Sequence, residues 1–277
     1  MNDPKPLVSI ILPTFNRSQL IGKSIQGVVD QAYSNWELII IDDASTDSTP
    51  QILADWAKKD SRLRVIRNNQ NNYPDISKNL NIGITEAKGK YIARLDDDDV
   101  WVDPQKLEKQ VDFLENHPDY VIVGSGVIVV DEKGKELFRY TKKENDIDIR
   151  NYIYHANPFS HTTVLFRKDA ALKVGGYGKS PQAEDWEFWL RLGQVGKMHN
   201  LPTHSTQFLM AGQNKTLQHQ RAQARAIISY LWSHRGKYPR FWSGFLLNTF
   251  QYFYSFLPVL IRKPLHTFLV SIKRKKF

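Results

Sequence analysis

The chain has 277 residues, of which 41% are hydrophobic and 24% charged. That is an ordinary balance for a globular protein with one substantial core, or one core and an appendage. It contains no cysteine, so disulfides and thiolate metal sites are excluded, and any metal must rest on oxygen or imidazole ligands. The net charge of +9 is uneven: residues 188–277 hold 14 Lys and Arg and no Asp or Glu, while the first 187 set 24 basic residues against all 29 acids. A slightly acidic body with a strongly basic end points to an anionic partner for that end alone.

The first residues, Met1 to Pro6, run directly into an apolar stretch. They lack the basic start, long apolar region and small-residue cleavage site of a signal peptide, so a cytoplasmic protein is expected. Val8–Leu12 is a short apolar run stopped by Pro13, and Glu37–Ile41 is another, ended by Asp42 and Asp43. A helix-length segment from Gln19 to Tyr33 separates them. Ser48-Thr49-Pro50 supplies an N-cap and a proline for a second helix, and Ile76–Ala87 predicts a third, closing at Gly89. Tyr91–Leu95 is the next strand, and Asp103-Pro104 opens a helix with Leu107, Val111 and Leu114 on one face. Nearly continuous β-branched runs alternating with helices predict an α/β fold whose mainly parallel sheet is covered on both faces.

From Tyr120 the pattern changes. Tyr120–Val130 and Glu136–Tyr140, joined by a turn at Asp131–Lys135, read as antiparallel strands, and Thr162–Phe166 as a further strand. Asp185 leads into a helix reaching Arg191, and Gln218–Trp232 reads as another. The expected division is a catalytic-type domain over 1–214 and a helical C-terminal segment over 215–277.

In open α/β sheets ligands bind beyond the carboxyl ends of the strands. Pro13–Arg17, Asp42-Asp43 and Asp96–Asp99 all occupy that position. Four adjacent carboxylates, Asp96, Asp97, Asp98 and Asp99, repel one another and suit Mg²⁺ or Mn²⁺ bridging to a substrate's phosphates; a solvated acidic loop is the plainer alternative. Asp43 suits either a base or ribose contact or an ordinary turn. Glu184-Asp185 suits either a general base or a helix cap, and taken alone His161 reads as a structural histidine.

Taken in order, these segments resemble glycosyltransferase family 2, the inverting enzymes of GT-A fold that use nucleotide sugars. The resemblance covers Leu7 to Asn214. Val8–Arg17 resembles the family's first strand and nucleotide-binding loop, which implies donor contacts from Pro13, Thr14, Asn16 and Arg17. Asp43 is similar to the carboxylate that contacts the base. Lys78-Asn79, continuing to Gly89, resembles the family's Arg-Asn stretch with Lys in place of Arg, a change that loses the planar fork; the stretch implies a donor contact from Lys78 that adds positive charge at the diphosphate. Leu95–Trp101 resembles the segment carrying the DxD motif. It maps to Asp96 and Asp98 as metal residues, with Asp98 the direct ligand and Asp97 an extra carboxylate able to reach the ribose. Glu184-Asp185 resembles the ED motif, which makes Asp185 the catalytic base and places Glu184, Trp186 and His161 on the acceptor side. Met210 falls where many relatives carry an arginine.

The resemblance implies transfer of a sugar from a nucleotide-diphosphate donor, a UDP-sugar, to a hydroxyl of a glycan or lipid-linked glycan in cell-surface polysaccharide synthesis. Rival readings are an inactive sugar-nucleotide-binding or scaffold protein on the same fold and a metal-dependent phosphoesterase. A Rossmann-type dehydrogenase is disfavoured because no Gly-x-Gly-x-x-Gly follows the first strand. Trp242–Ile261 is charge-free and aromatic, with Arg240 before it and Arg262-Lys263 after it, and Lys273–Lys276 follow. It is read as a peripheral attachment to an anionic membrane surface, ahead of a buried helical subdomain or a span. No nucleic-acid recognition motif accompanies the charge.

Overall fold

Apolar runs at the start of the chain become the centre of a nine-stranded sheet. The computed structural model describes residues 5–179, 182–210 and 214–256, with backbone only for 214–220. Strands β1 (Val8–Thr14), β2 (Trp36–Asp42), β3 (Leu63–Arg67) and β4 (Tyr91–Arg94) are parallel in the order β3-β2-β1-β4. Every residue of β1 is buried, which accounts for its lack of polar alternation. Side chains alternate along it: Ile11 joins one core beneath the sheet, Ile10 and Leu12 the other. Helices α1 (Ile21–Val29), α2 (Thr49–Lys59) and α3 (Ile76–Glu86) connect these strands and cover the two faces.

The second half extends the sheet with mixed directions. Short β5 (Val100–Trp101) and helix α4 (Lys106–Asn116) lead into the long β6 (Tyr120–Val130), which pairs antiparallel with β7 (Glu136–Tyr140). After α5 (Asp146–Tyr152), strand β8 (Leu165–Arg167) lies between β4 and β6, antiparallel to both. Helices α6 (Lys168–Lys173) and α7 (Glu184–Leu192) precede β9 (Lys197–Leu209), which runs parallel to β6 and pairs antiparallel with β5. Two helices end the described chain, α8 (Asn214–Ser233) and α9 (Phe241–Tyr254).

Several expectations need correction. Residues 161–163 form a 3-10 turn, and the strand begins only at Leu165. The Ser48 side chain does not cap α2; Asp47 Oδ1 accepts the Thr49 N–H at 2.9 Å instead. β3, β5, α5, α6 and above all β9 were not marked by the sequence pattern. β9 is rich in His, Thr, Asn and Gln, and it is held by backbone pairing to β6 rather than by apolar alternation. The C-terminal helices pack on the body: Leu231 and Tyr238 join the core that contains Trp189, and the Tyr238 hydroxyl donates to Leu190 O at 3.0 Å.

Gly89 is where the turn before β4 meets β1. A Cβ there would lie 2.6 Å from Leu7 O and 2.7 Å from Ser9 N, both backbone atoms that cannot swing aside. Gly89→Ala is therefore expected to cost about 1–3 kcal/mol, read as a fall of several degrees in melting temperature. An unchanged melting temperature would show that the β1–β4 edge can shift.

Candidate active site

A cleft of about 560 Å³ opens at the carboxyl ends of β1, β2 and β4. Pro13, Thr14, Phe15 and Arg17 form one wall, Asp43, Asn71, Tyr73 and Asn79 another, and Asp96, Asp97 and Asp98 the floor. Topology is the reason: parallel pairing brings Thr14 opposite Asp42 and sets the end of β4 beside β1.

Each of the four aspartates has a different partner. Arg94, at the end of β4, is only 2% exposed and donates through Nη2 to Asp96 Oδ1 at 2.6 Å. Its Nη1 donates to Leu95 O. Asp97 accepts from Arg17 Nε at 3.1 Å and from the Phe15 N–H at 3.3 Å, tying the opening loop to the acidic turn. Asp99 is buried, and its Oδ1 accepts the Leu209 N–H at 3.2 Å, which fastens the turn to β9. Asp98 lies on the cleft, one-third exposed, with Arg17 Nη2 at 3.8 Å.

The like charges leave a clear electrostatic trace. Burial and the charges of Asp96 and Asp97 push Asp98 up to about 6. Burial and the charges of Asp96 and Asp98 push Asp99 up to about 8. A cation at Asp98 would relieve this repulsion, and carboxylate oxygens suit Mg²⁺ or Mn²⁺. Among the described residues no group of three or more acidic or histidine side chains is arranged to hold a metal. A cation here would rest on one or two protein oxygens, with substrate phosphates and water completing its shell.

The wall around Asp43 is a network of asparagines. Asp43 Oδ1 accepts from Asn68 Nδ2 at 2.7 Å and from the Asn72 N–H at 3.0 Å, while Asn79 Oδ1 accepts from Asn68 and Asn72 at 2.7 and 2.8 Å. Asp43 thus holds the 68–72 loop as well as lining the cleft. Asp42 faces the other way, buried and paired with Arg67. Asn16 is not a lining residue: its Oδ1 accepts the Thr46 N–H at 2.8 Å and so locks two loops together. Lys78 is elsewhere, on a neighbouring cleft with Asn81 and Lys179. The positive charge beside the acidic floor comes from Arg17 instead.

The acceptor-side candidates gather around Arg94. Asp185 Oδ2 accepts from Asn157 Nδ2 at 2.6 Å, and its Oδ1 accepts the Trp186 N–H at 2.7 Å. Burial and the Asp185 charge push Glu184 up to about 7. Burial and the Arg94 charge push His161 down to about 4, so its ring is neutral near pH 7, with Nε2 2.8 Å from the Tyr177 hydroxyl. Trp186 does not face an acceptor. Its ring is buried and its indole N–H donates to Ile153 O at 2.7 Å.

Arg94, Lys142 and Tyr177 were not singled out as site residues from the sequence, and Asn157 only as the start of the segment Asn157–Arg167 that resembles the family's acceptor-facing stretch. Lys142 donates to Asn157 O at 3.0 Å, and burial lowers it while the Asp185 charge raises it. Of the first three, only Arg94 carried a readable signal, a charged side chain inside the buried run Tyr91–Leu95. Three of the four non-glycine residues with positive φ among the described residues adjoin the site: Asn16, Ala44 and Ala183, at 53°, 62° and 52°. Such conformations cost of order 1 kcal/mol and cluster where a loop must present groups to a ligand.

Glu184 yields a pH prediction. A carboxyl raised from its ordinary 4.5 to about 7 favours the folded state most below pH 4.5, and that contribution is lost as pH rises through 7. Glu184→Gln removes the titration. The variant's melting temperature relative to wild type is expected to rise by about 2–4 °C between pH 5 and pH 8. A constant difference across that range would place Glu184 in a solvated setting.

The glycosyl transferase family 2 model matches residues 9–175. EpsE of Bacillus subtilis is 37% identical over 195 residues, covering 69% of this chain and 68% of that protein. The O-antigen biosynthesis glycosyltransferase WbnJ of Escherichia coli is 31% identical over 187 residues, covering 67% of this chain and 71% of WbnJ. Among solved structures, Staphylococcus aureus TarS residues 1–349 in complex with UDP-GlcNAc superposes with a TM-score of 0.70 at 19% identity, over 91% of this chain and 76% of that one. The mannosyltransferase PcManGT from Pyrobaculum calidifontis, in complex with GDP-Man and Mn²⁺, gives 0.67 at 19% identity, over 89% and 69%. These structures share the fold, and the chain is a glycosyltransferase of family 2.

Proposed function

We propose that the chain is an inverting, metal-dependent glycosyltransferase of cell-surface polysaccharide synthesis. It transfers a sugar from a nucleotide-diphosphate donor, a UDP-sugar, to a hydroxyl of a glycan or lipid-linked glycan. The observation that carries this reading is the shared acidic centre. Asp96 in the cleft floor and Asp185, held by Asn157, both act electrostatically on His161, as does buried Arg94. The O-antigen role of WbnJ, the UDP-GlcNAc bound to TarS and the GDP-Man and Mn²⁺ bound to PcManGT support the reaction class, the donor class and the metal.

The donor's base and ribose fit the wall built by Pro13, Thr14, Asp43 and Asn79. Its diphosphate lies over the acidic turn, where Arg17 adds positive charge. Asp98, with Asp96 as partner, would hold a divalent cation that supplies charge neutralisation to the departing diphosphate. Asp96 is oriented by Arg94, and Asp97 is occupied by Arg17 and the Phe15 N–H. Asp185 takes the proton of the acceptor hydroxyl as that oxygen attacks the anomeric carbon opposite the leaving nucleotide. A single displacement of this kind inverts configuration. Asn157 holds one Asp185 oxygen in place, and below about pH 7 the proton on Glu184 limits repulsion between the neighbouring carboxyls. Neutral His161, in contact with the Tyr177 hydroxyl, adds no second buried cation beside Arg94.

A sugar-nucleotide-binding protein without activity would share the cleft, so the base decides between the two. Asp185→Asn should retain donor binding and lower transfer by about 10²–10⁴-fold; turnover at the wild-type rate would exclude Asp185 as the base. Asp98→Ala should weaken Mn²⁺-dependent nucleotide binding by roughly tenfold or more in calorimetric titration. Affinity equal to wild type would remove Asp98 from the metal site.

A further inference from the structure

Helix α9 is apolar on both sides. Its inner face packs on the end of α5: Gly244 sits so close to Tyr154 that a Cβ would meet Tyr154 Cβ at 2.5 Å, and Asn248 Nδ2 donates to Tyr154 O at 2.9 Å. The opposite face carries Trp242, Leu246, Phe250 and Phe253, which are 65%, 63%, 54% and 64% exposed. Their spacing of four, four and three residues draws one stripe along the helix, where a surface helix ordinarily places polar residues. Trp232, on α8, is also exposed, and Arg235 lies over its ring at 5.0 Å from the centroid.

We propose that this stripe, with Arg235, Lys237 and Arg240 at its start, is a docking surface for an anionic lipid bilayer. Charge selects the occupant. Residues 221–256, which form the end of α8, the turn and α9, carry five Lys and Arg and no Asp or Glu, so the surroundings of the stripe favour an anionic surface and oppose a second copy bearing the same charges. The residue types fit as well, because Trp, Phe and Leu on one helix face bury into the boundary between headgroups and acyl chains. α9 lies on the bilayer rather than crossing it: among the described residues no helix is long and apolar enough to span a membrane.

Docking bears on the acceptor. α9 holds Tyr154 and His155, the latter through a 3.0 Å contact between His155 Nε2 and Ser243 Oγ, and Asn157 two residues on holds Asp185. The docking helix and the proposed base therefore share one short, well-packed segment. Resting on the proposed reaction, this arrangement favours an acceptor hydroxyl carried on a lipid anchor over a freely diffusing sugar.

The test is flotation of the full-length protein with vesicles of phosphatidylcholine plus phosphatidylglycerol, against phosphatidylcholine alone; it reads docking with no sugar transfer. Wild type should float with the anionic vesicles and be released by salt. The Trp242→Ser, Leu246→Ser, Phe253→Ser triple variant should lose at least tenfold in partitioning while keeping wild-type donor-nucleotide binding, which also certifies its fold. Arg235→Glu with Lys237→Glu, which leaves the apolar stripe intact, should weaken anionic-vesicle binding alone. Undiminished flotation of the triple variant would assign binding to the chain beyond Phe256 and overturn the proposal. So would a wild-type dimer that the triple variant converts to monomer without changing flotation. Docking confirmed together with transfer to soluble acceptors alone would uphold the surface and sink only the acceptor reading.

Discussion

A buried guanidinium beneath a run of carboxylates is the constraint on which the functional half of this molecule depends. Moving a charged arginine out of water costs several kcal/mol unless it is paired and hydrogen-bonded. Arg94 meets most of that demand through its two terminal nitrogens, with Asp96 and the Leu95 carbonyl supplied by the residues that follow it, while its buried Nε has no partner among the described residues. The pairing fixes the direction in which the acidic turn leaves β4. Burial and the Arg94 charge together keep His161 neutral, and the same charge opposes the rise of the Glu184 carboxyl. One strand-end cation thus links the acidic cleft and the Asp185 neighbourhood.

The acidic turn itself divides labour among similar residues. Asp97 reaches back to Arg17 and the Phe15 N–H, and Asp99 reaches forward to the Leu209 N–H, so the turn is pinned to the first strand and the last. Asp98 retains the weakest protein contact and the cleft-facing position. Asparagines do comparable work on the opposite wall, where Asp43, Asn68, Asn72 and Asn79 satisfy one another and shape a loop that has few apolar contacts of its own. Polar networks of this kind are stable only when each member is paired, which makes the cleft walls preorganised.

The second half of the chain works differently. β9 has little apolar alternation, yet it runs beside β6 for most of its length and carries β5 on its other edge. The C-terminal helices close over α5 and α7, with Tyr230 donating to Gln182 O at 3.1 Å just ahead of Glu184. These contacts brace the segment that presents Asp185, and the left-handed Ala183 turns the chain into α7 at that point.

What the sequence determined by itself were the elements whose physics is local. Apolar runs ending in Pro13, Asp42 and Asp96, the helical spacing of Leu107, Val111 and Leu114, and the motifs in their order were enough for the α/β class, the family and a cleft at the carboxyl ends of the strands. They were readable because buried parallel strands and amphipathic helices write their periods directly into the chain. Only the tertiary structure separated the four adjacent aspartates, turned Asn16 toward Thr46, removed Lys78 to a neighbouring cleft and buried Trp186. Apart from the local Arg94–Asp96 pair, those outcomes depend on a partner 30 or more residues away or on the face a helix presents after packing. The aromatic content of 242–256 was equally plain in the sequence. Which side of it meets Tyr154 and which side faces outward was decided by the close approach of Gly244, a contact between segments 90 residues apart.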